Sequence, residues 1–110
     1  MPSPLLQPVT ATATLAAGVA TNIDLNLNGS TNWTIVLRNT GSTNAVTALT
    51  IAVSPLGTLF EAAAAITTGI PLAANTSLAA IVGSSEPART VRLTATSTSG
   101  TTVSVEALGL

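Results

Sequence analysis

Apolar and polar residues alternate with a period of two through most of this chain. Val9, Ala11, Ala13 and Leu15 interleave with Thr10, Thr12 and Thr14, and Ile23, Leu25 and Leu27 interleave with Asn22, Asp24, Asn26 and Asn28. The same rhythm returns at Trp33, Ile35 and Leu37, at Leu49, Ile51 and Val53, and in two late segments, Val91 to Thr96 and Val103 to Ala107. Successive side chains of a strand point to opposite faces, so each segment predicts a strand buried on one side. Turn residues separate the segments: Asn28-Gly29, Asn39-Thr40-Gly41-Ser42, Pro55-Leu56-Gly57 and Ser97-Thr98-Ser99-Gly100. Roughly seven to nine short strands, with a turn about every ten residues, predict an all-β antiparallel β-sandwich, either immunoglobulin-like or a jelly roll.

Two local features refine this outline. The four residues between the last two strands predict a C-terminal hairpin. Residues 58–68 admit two states: Thr58-Leu59-Phe60-Glu61 has the spacing of a capping box and Ala62 to Ala65 favour helix, whereas every neighbouring segment is a strand. A helix of about eight residues is marginal, which favours strand. Short segments at Gly69 to Leu72 and Leu78 to Val82 follow, with a loop over Gly83 to Pro87.

The first eight residues differ in kind. Pro2, Pro4 and Pro8 remove backbone donors and bias the segment toward extended polyproline conformation, with Leu5 and Leu6 between them as apolar anchors. Residues 1–8 therefore read as an extended N-terminal arm before a single domain at 9–110. At about 3.1 Å per residue the arm reaches roughly 25 Å, far enough to cross a subunit boundary. A frayed tail is the other reading.

Composition excludes most chemistry. The 110 residues include no histidine, cysteine, lysine or tyrosine, and the charged groups are Asp24, Arg38, Glu61, Glu86, Arg89, Arg92 and Glu106. Acid–base catalysis near neutral pH lacks its usual suppliers, so an enzyme, a cofactor and a small-molecule substrate are not expected. Four scattered carboxylates give neither a glycosidase pair nor a calcium loop. A net charge of −1 with three cations leaves no footprint for nucleic acid. No apolar run approaches the roughly 20 residues of a membrane span. Met1-Pro2-Ser3-Pro4 lacks a basic n-region, which points to synthesis and folding in the cytosol. Asn28-Gly29-Ser30, Asn32-Trp33-Thr34 and Asn75-Thr76-Ser77 match the glycosylation acceptor pattern and read as chance in a Thr-rich chain.

What remains is a surface. Trp33 begins an inward row with Ile35 and Leu37, so it reads as core and not as a sugar-stacking platform. With Phe60 it is one of two aromatic residues, which makes a thin core and invites stability from neighbouring subunits. The polar strand faces are Thr, Asn and Ser, without the lysines that usually guard sheet edges, so either bulges and loops or partner subunits cover the edges, with partners the favoured reading. Arg38, Arg89 and Arg92 can each bind a partner's carboxylate through both arms of the guanidinium, or pair locally with Glu86 or Glu106.

Two resemblances follow from these residues. The stretch Trp33-Thr34-Ile35-Val36-Leu37-Arg38-Asn39-Thr40-Gly41, followed by Ala45 to Val53, is similar to the paired strands of bacterial immunoglobulin-like adhesion modules, in which a strand ends at Asn-x-Gly. The whole layout resembles the small head-decoration, or cement, proteins of tailed bacteriophages: Ala/Thr/Gly/Ser-rich, cysteine-free, with an extended arm before a compact β-domain. That resemblance implies a virion structural protein on the capsid exterior, synthesised in the host cytoplasm. Its partners would be the major capsid protein and copies of itself, as dimers or trimers. Pro2, Pro4, Leu5, Leu6, Pro8, Arg38 and Arg92 would then touch the partner. The alternative is an adhesion or surface module of a bacterial protein.

Overall fold

The computed structural model describes residues 9–30, 32–78, 81–83 and 88–109. They form β1 (Val9–Leu15), β2 (Thr21–Ser30), β3 (Trp33–Asn39), β4 (Ala48–Ser54), β5 (Ala64–Ala65), β6 (Ile81–Gly83), β7 (Ala88–Thr96) and β8 (Thr101–Gly109). The first sheet has the order β1-β8-β3-β6 and the second β2-β7-β4-β5, with every pair antiparallel. This is the antiparallel β-sandwich that the alternation predicts, and the strand order is that of a jelly roll. The predicted arm, residues 1–8, and Glu86 lie outside the described residues.

The topology follows from one long hairpin rolled up on itself. β1 pairs with β8, β2 with β7, β3 with β6 and β4 with β5. In the first three pairs one register recurs: Val9 faces Ala107, Thr21 faces Ala95 and Trp33 faces Gly83, each couple of residue numbers totalling 116, with a departure at the irregularity where Ser30 faces Ala88. From Leu15 to Thr21 and from Ala95 to Thr101 the two arms pass between sheets in the same number of residues. The tip of the hairpin is the link between β4 and β5.

The inward rows meet in one core. Leu15, Ile35, Leu37, Val103 and Val105 of the first sheet and Leu25, Leu27, Leu49, Val91 and Leu93 of the second are almost wholly buried. Trp33 joins them, as expected, at 6% exposure. Its indole N–H has no hydrogen-bond partner among the described residues.

The expected C-terminal hairpin does not form. β7 lies between β2 and β4, whereas β8 lies between β1 and β3 in the other sheet. Ser97-Thr98-Ser99-Gly100 is an arch that spans the core and not a turn within one sheet. Ser97 anchors it: the side chain is fully buried and its hydroxyl donates to the Ala45 carbonyl at 2.6 Å, while its own carbonyl accepts from Gly18 N–H at 2.8 Å. Both strands still bury alternate residues, because both sheets face one core.

Two other segments also differ from the local signals. Asn28 and Gly29 take the left-handed backbone that a tight turn needs, with φ of 53° and 77°, but they sit at an irregularity near the end of β2 and not between paired strands. Residues 58–68 form no helix, and strand appears only at Ala64–Ala65. The Ile66 N–H donates to the Leu49 carbonyl, so the segment borders β4 with few ladder bonds.

The Asn-x-Gly sequence at the end of β3 is a buried clasp. Asn39 is wholly buried, and its amide donates to the carbonyls of Asn44 at 2.8 Å and Leu72 at 3.1 Å. Its oxygen accepts from Gly41 N–H at 3.1 Å and from the Thr101 hydroxyl at 2.8 Å. The side chain's full complement of two donors and two acceptor sites is used in joining three loops. A side chain at Gly41 would collide with the Thr101 hydroxyl and force it away from Asn39, so glycine fits best here.

Candidate functional site

The two most exposed large apolar side chains among the described residues are Leu56 and Leu59, at 84% and 82%. Both belong to the tip of the rolled hairpin, the link after β4. The tip is held down despite its exposure. Gly57, with φ of 90°, turns the chain so that its N–H donates to the buried Ser54 hydroxyl at 2.9 Å. Glu61 N–H donates to the Val53 carbonyl at 2.8 Å. Arg89 lays its methylenes beside Gly57, where an added Cβ would meet Arg89 Cγ at 3.2 Å.

Phe60 turns back over the outer face of the second sheet. The Arg92 guanidinium carbon lies 4.1 Å from its ring centroid, a cation–π contact. Arg92 in turn faces Asp24 across the β2–β7 ladder, and Nε and Nη2 donate to the two carboxylate oxygens at 2.8 and 3.0 Å. These hydrogen bonds, more than the carboxylate's charge, hold the Arg92 pKa above its ordinary value, so the group stays cationic. The result is a stack, Asp24 to Arg92 to Phe60, that ties down the same link that carries the two exposed leucines.

The structure distributes the sequence-derived candidates as follows. Arg92 is in this stack, with Nε and Nη2 of its fork on Asp24; the local partner among the described residues is Asp24 and not Glu106. Arg38 lies on the outer face of the other sheet, where Nη1 donates to the Ser77 hydroxyl at 3.2 Å. The two arginines are therefore not brought together. Pro2, Pro4, Leu5, Leu6 and Pro8 lie outside the described residues. Leu56, Leu59 and Phe60 carried no periodic signal, and their setting depends on a register between residues 24 and 92 that local sequence does not encode.

The remaining polar surface offers little for catalysis. Asp24 and Glu106 occupy opposite outer faces of the sandwich. No group of three or more metal-ligating side chains occurs among the described residues. No helix among them is long and apolar enough to cross a membrane.

No family model and no curated protein sequence matches the chain. Solved structures do. The chitosan-binding module 1 of a chitosanase/glucanase from Paenibacillus sp. IK-5 is similar with a TM-score of 0.55 at 19% identity, over 89% of this chain and 76% of that one. The Yersinia pseudotuberculosis-derived mitogen gives 0.54 at 15% identity, over 94% and 86%. The pre-peptidase C-terminal domain of a collagenase from Bacillus anthracis gives 0.52 at 12% identity, over 92% and 89%. Likeness at this identity concerns the fold, a small β-sandwich module.

Proposed function

We propose that this chain is a non-enzymatic virion structural protein that decorates a phage capsid, binding the outer surface of the major capsid subunits and reinforcing the contacts between them. The observation that carries the reading is the hairpin tip, where Leu56 and Leu59 stand almost fully exposed in the link that Phe60 ties to Arg92 and Asp24. Burying two leucines against a partner contributes about 3–6 kcal/mol, enough to anchor a specific contact. The jelly-roll strand order is one that viral capsid domains share with lectins, and it supports a binding role through analogy of fold alone. The composition supports it independently, because it withholds the side chains of catalysis. Residues 1–8 would add a second grip, and linking two weak grips raises the total affinity through effective concentration.

Co-sedimentation with capsids of tailed phages from the same source tests the proposal. Wild-type protein is expected to sediment at stoichiometric occupancy. Leu56→Ser/Leu59→Ser is expected to weaken binding by about a hundredfold or more while shifting folding stability by less than about 0.5 kcal/mol. A folded protein that ignores every capsid offered refutes the proposal and favours the bacterial surface module.

A further inference from the structure

β1 ends the first sheet, and no described strand pairs with its outer edge. Exposed edges are normally guarded by a charge, a proline or a bulge. β1 has none of these: it reads Val9-Thr10-Ala11-Thr12-Ala13-Thr14-Leu15 and pairs without interruption with β8. β2, the corresponding edge of the second sheet, carries Asp24 and an irregularity between Asn26 and Ser30. The two edges are therefore unlike, and of the two only β1 is open to pairing.

The sequence of β1 is almost the same read in either direction about Thr12. A two-fold axis through Thr12 would set it against its own copy, Thr10 against Thr14, Ala11 against Ala13 and Val9 against Leu15. We propose that β1 pairs antiparallel with β1 of a second copy, in this register, to give a symmetric dimer with one continuous eight-stranded sheet.

Three observations support a second copy as the occupant. A residue on the axis meets itself, so a charge there would repel; the Thr12 hydroxyl both donates and accepts, and threonine pairs are favourable across strands. The nearest charges do not oppose the union. Glu106 lies beyond Thr10, and Arg38 lies beyond Ser104 in the Thr12 row. That places the two Arg38 side chains five strand spacings apart, about 24 Å, beyond the screening length at physiological salt. Finally, the inward residues Val9, Ala11 and Ala13 are only half-buried, whereas Val103, Val105 and Ala107 of β8 beside them are at most 1% exposed. A second copy would complete their burial.

The area sets the strength. A seven-residue edge is about 23 Å long, and with side chains on both faces it covers on the order of 300–400 Å² per copy, about half of a standard interface. The dimer is therefore expected to be weak, with Kd of roughly 10–100 μM.

Sedimentation equilibrium of the full chain at rising concentration tests this without any capsid, so its outcome is separate from that of the decoration reading. The mass is expected to rise from 10.8 kDa toward twice that value. Thr12 is exposed, so Thr12→Lys should leave the monomer folded and weaken pairing about fivefold at low salt, and Thr12→Glu should do the same. An equal mixture of the two variants should pair at least as tightly as wild type. Monomers at all concentrations up to about 1 mM, pairing that Thr12→Lys leaves unchanged, or a mixture that stays weak would each overturn the proposal.

Discussion

Replacing Asn39 by aspartate changes one atom group in the most connected polar side chain of the core, and the structure assigns that change a pH-dependent cost. In the wild type the amide donates to two carbonyls, of Asn44 and Leu72, and the oxygen accepts from Gly41 N–H and the Thr101 hydroxyl. An ionised carboxylate at this position would keep the accepted pair and set an oxygen against the two carbonyls. The Leu72 carbonyl keeps the Val46 N–H at 2.9 Å, so the carbonyl left short of a donor is that of Asn44, at about 1–3 kcal/mol before the burial of the charge itself is counted. The protonated acid can return one donor to it, which removes part of that loss. Burial and the two carbonyls favour the neutral acid, whereas the Gly41 N–H and the Thr101 hydroxyl favour the anion; at a wholly buried site the first pair is expected to dominate and to raise the folded pKa above the unfolded value of about 3.9. The variant's loss relative to wild type is then smallest below about pH 4. It grows by up to about 1.4 kcal/mol per pH unit as the pH rises toward the folded pKa. Trp33, buried and the sole tryptophan, reports unfolding by its fluorescence in urea. Urea titrations of Asn39→Asp and wild type at about pH 4, 6 and 8 should give a difference that grows by about 2 kcal/mol or more. A difference constant over that range would refute the assigned network.

Two further substitutions probe the clasp and the tip. Gly41→Ala should cost about 2–3 kcal/mol, because the added methyl displaces the Thr101 hydroxyl from Asn39, and the cost should shrink in a Thr101→Ala background; additive effects in that double-mutant cycle would contradict the contact. Arg92→Ala removes the cation beneath Phe60 and should speed chymotryptic cleavage at Leu59 and Phe60 several-fold, with the sandwich otherwise intact; unchanged cleavage would mean that the tip is held by its backbone bonds alone.

Much of the sandwich was legible because it is written in local alternation. The rows of β1 to β4, β7 and β8, and the placement of Trp33 in the core, follow from which neighbours share a face. Pairing is another matter. Val91 to Thr96 and Val103 to Ala107 satisfy the same alternation whether they form a hairpin or an arch, since both sheets bury their inner faces in one core. What decides it is the buried Ser97 hydroxyl on the Ala45 carbonyl and the partners that β2 and β1 offer, far away in the chain. The Asp24–Arg92 pair was hidden for the same reason. The Asn39 clasp was half-visible: Asn-x-Gly signalled the end of a strand, but its buried partners lie at Leu72 and Thr101.

The register shared along the rolled hairpin leaves the tip as the place where exposed apolar side chains disturb the fold least. Slipping any strand by one residue would turn its buried row outward, so an insertion in one inter-sheet link must be matched in the link beside it. Val9 against Ala107 and Trp33 against Gly83 hold the same register across two such crossings. At the tip that constraint ends. β4 and β5 share only two paired positions, their partner numbers total 115 instead of 116, and no ladder continues beyond them among the described residues. The solvent-facing side chains between them, Leu56 and Leu59, can vary without disturbing a ladder pair elsewhere. A leucine there costs the fold nothing in register and contributes nothing to the core. At more than 80% exposure, Leu56 and Leu59 have their apolar area left for a partner to bury.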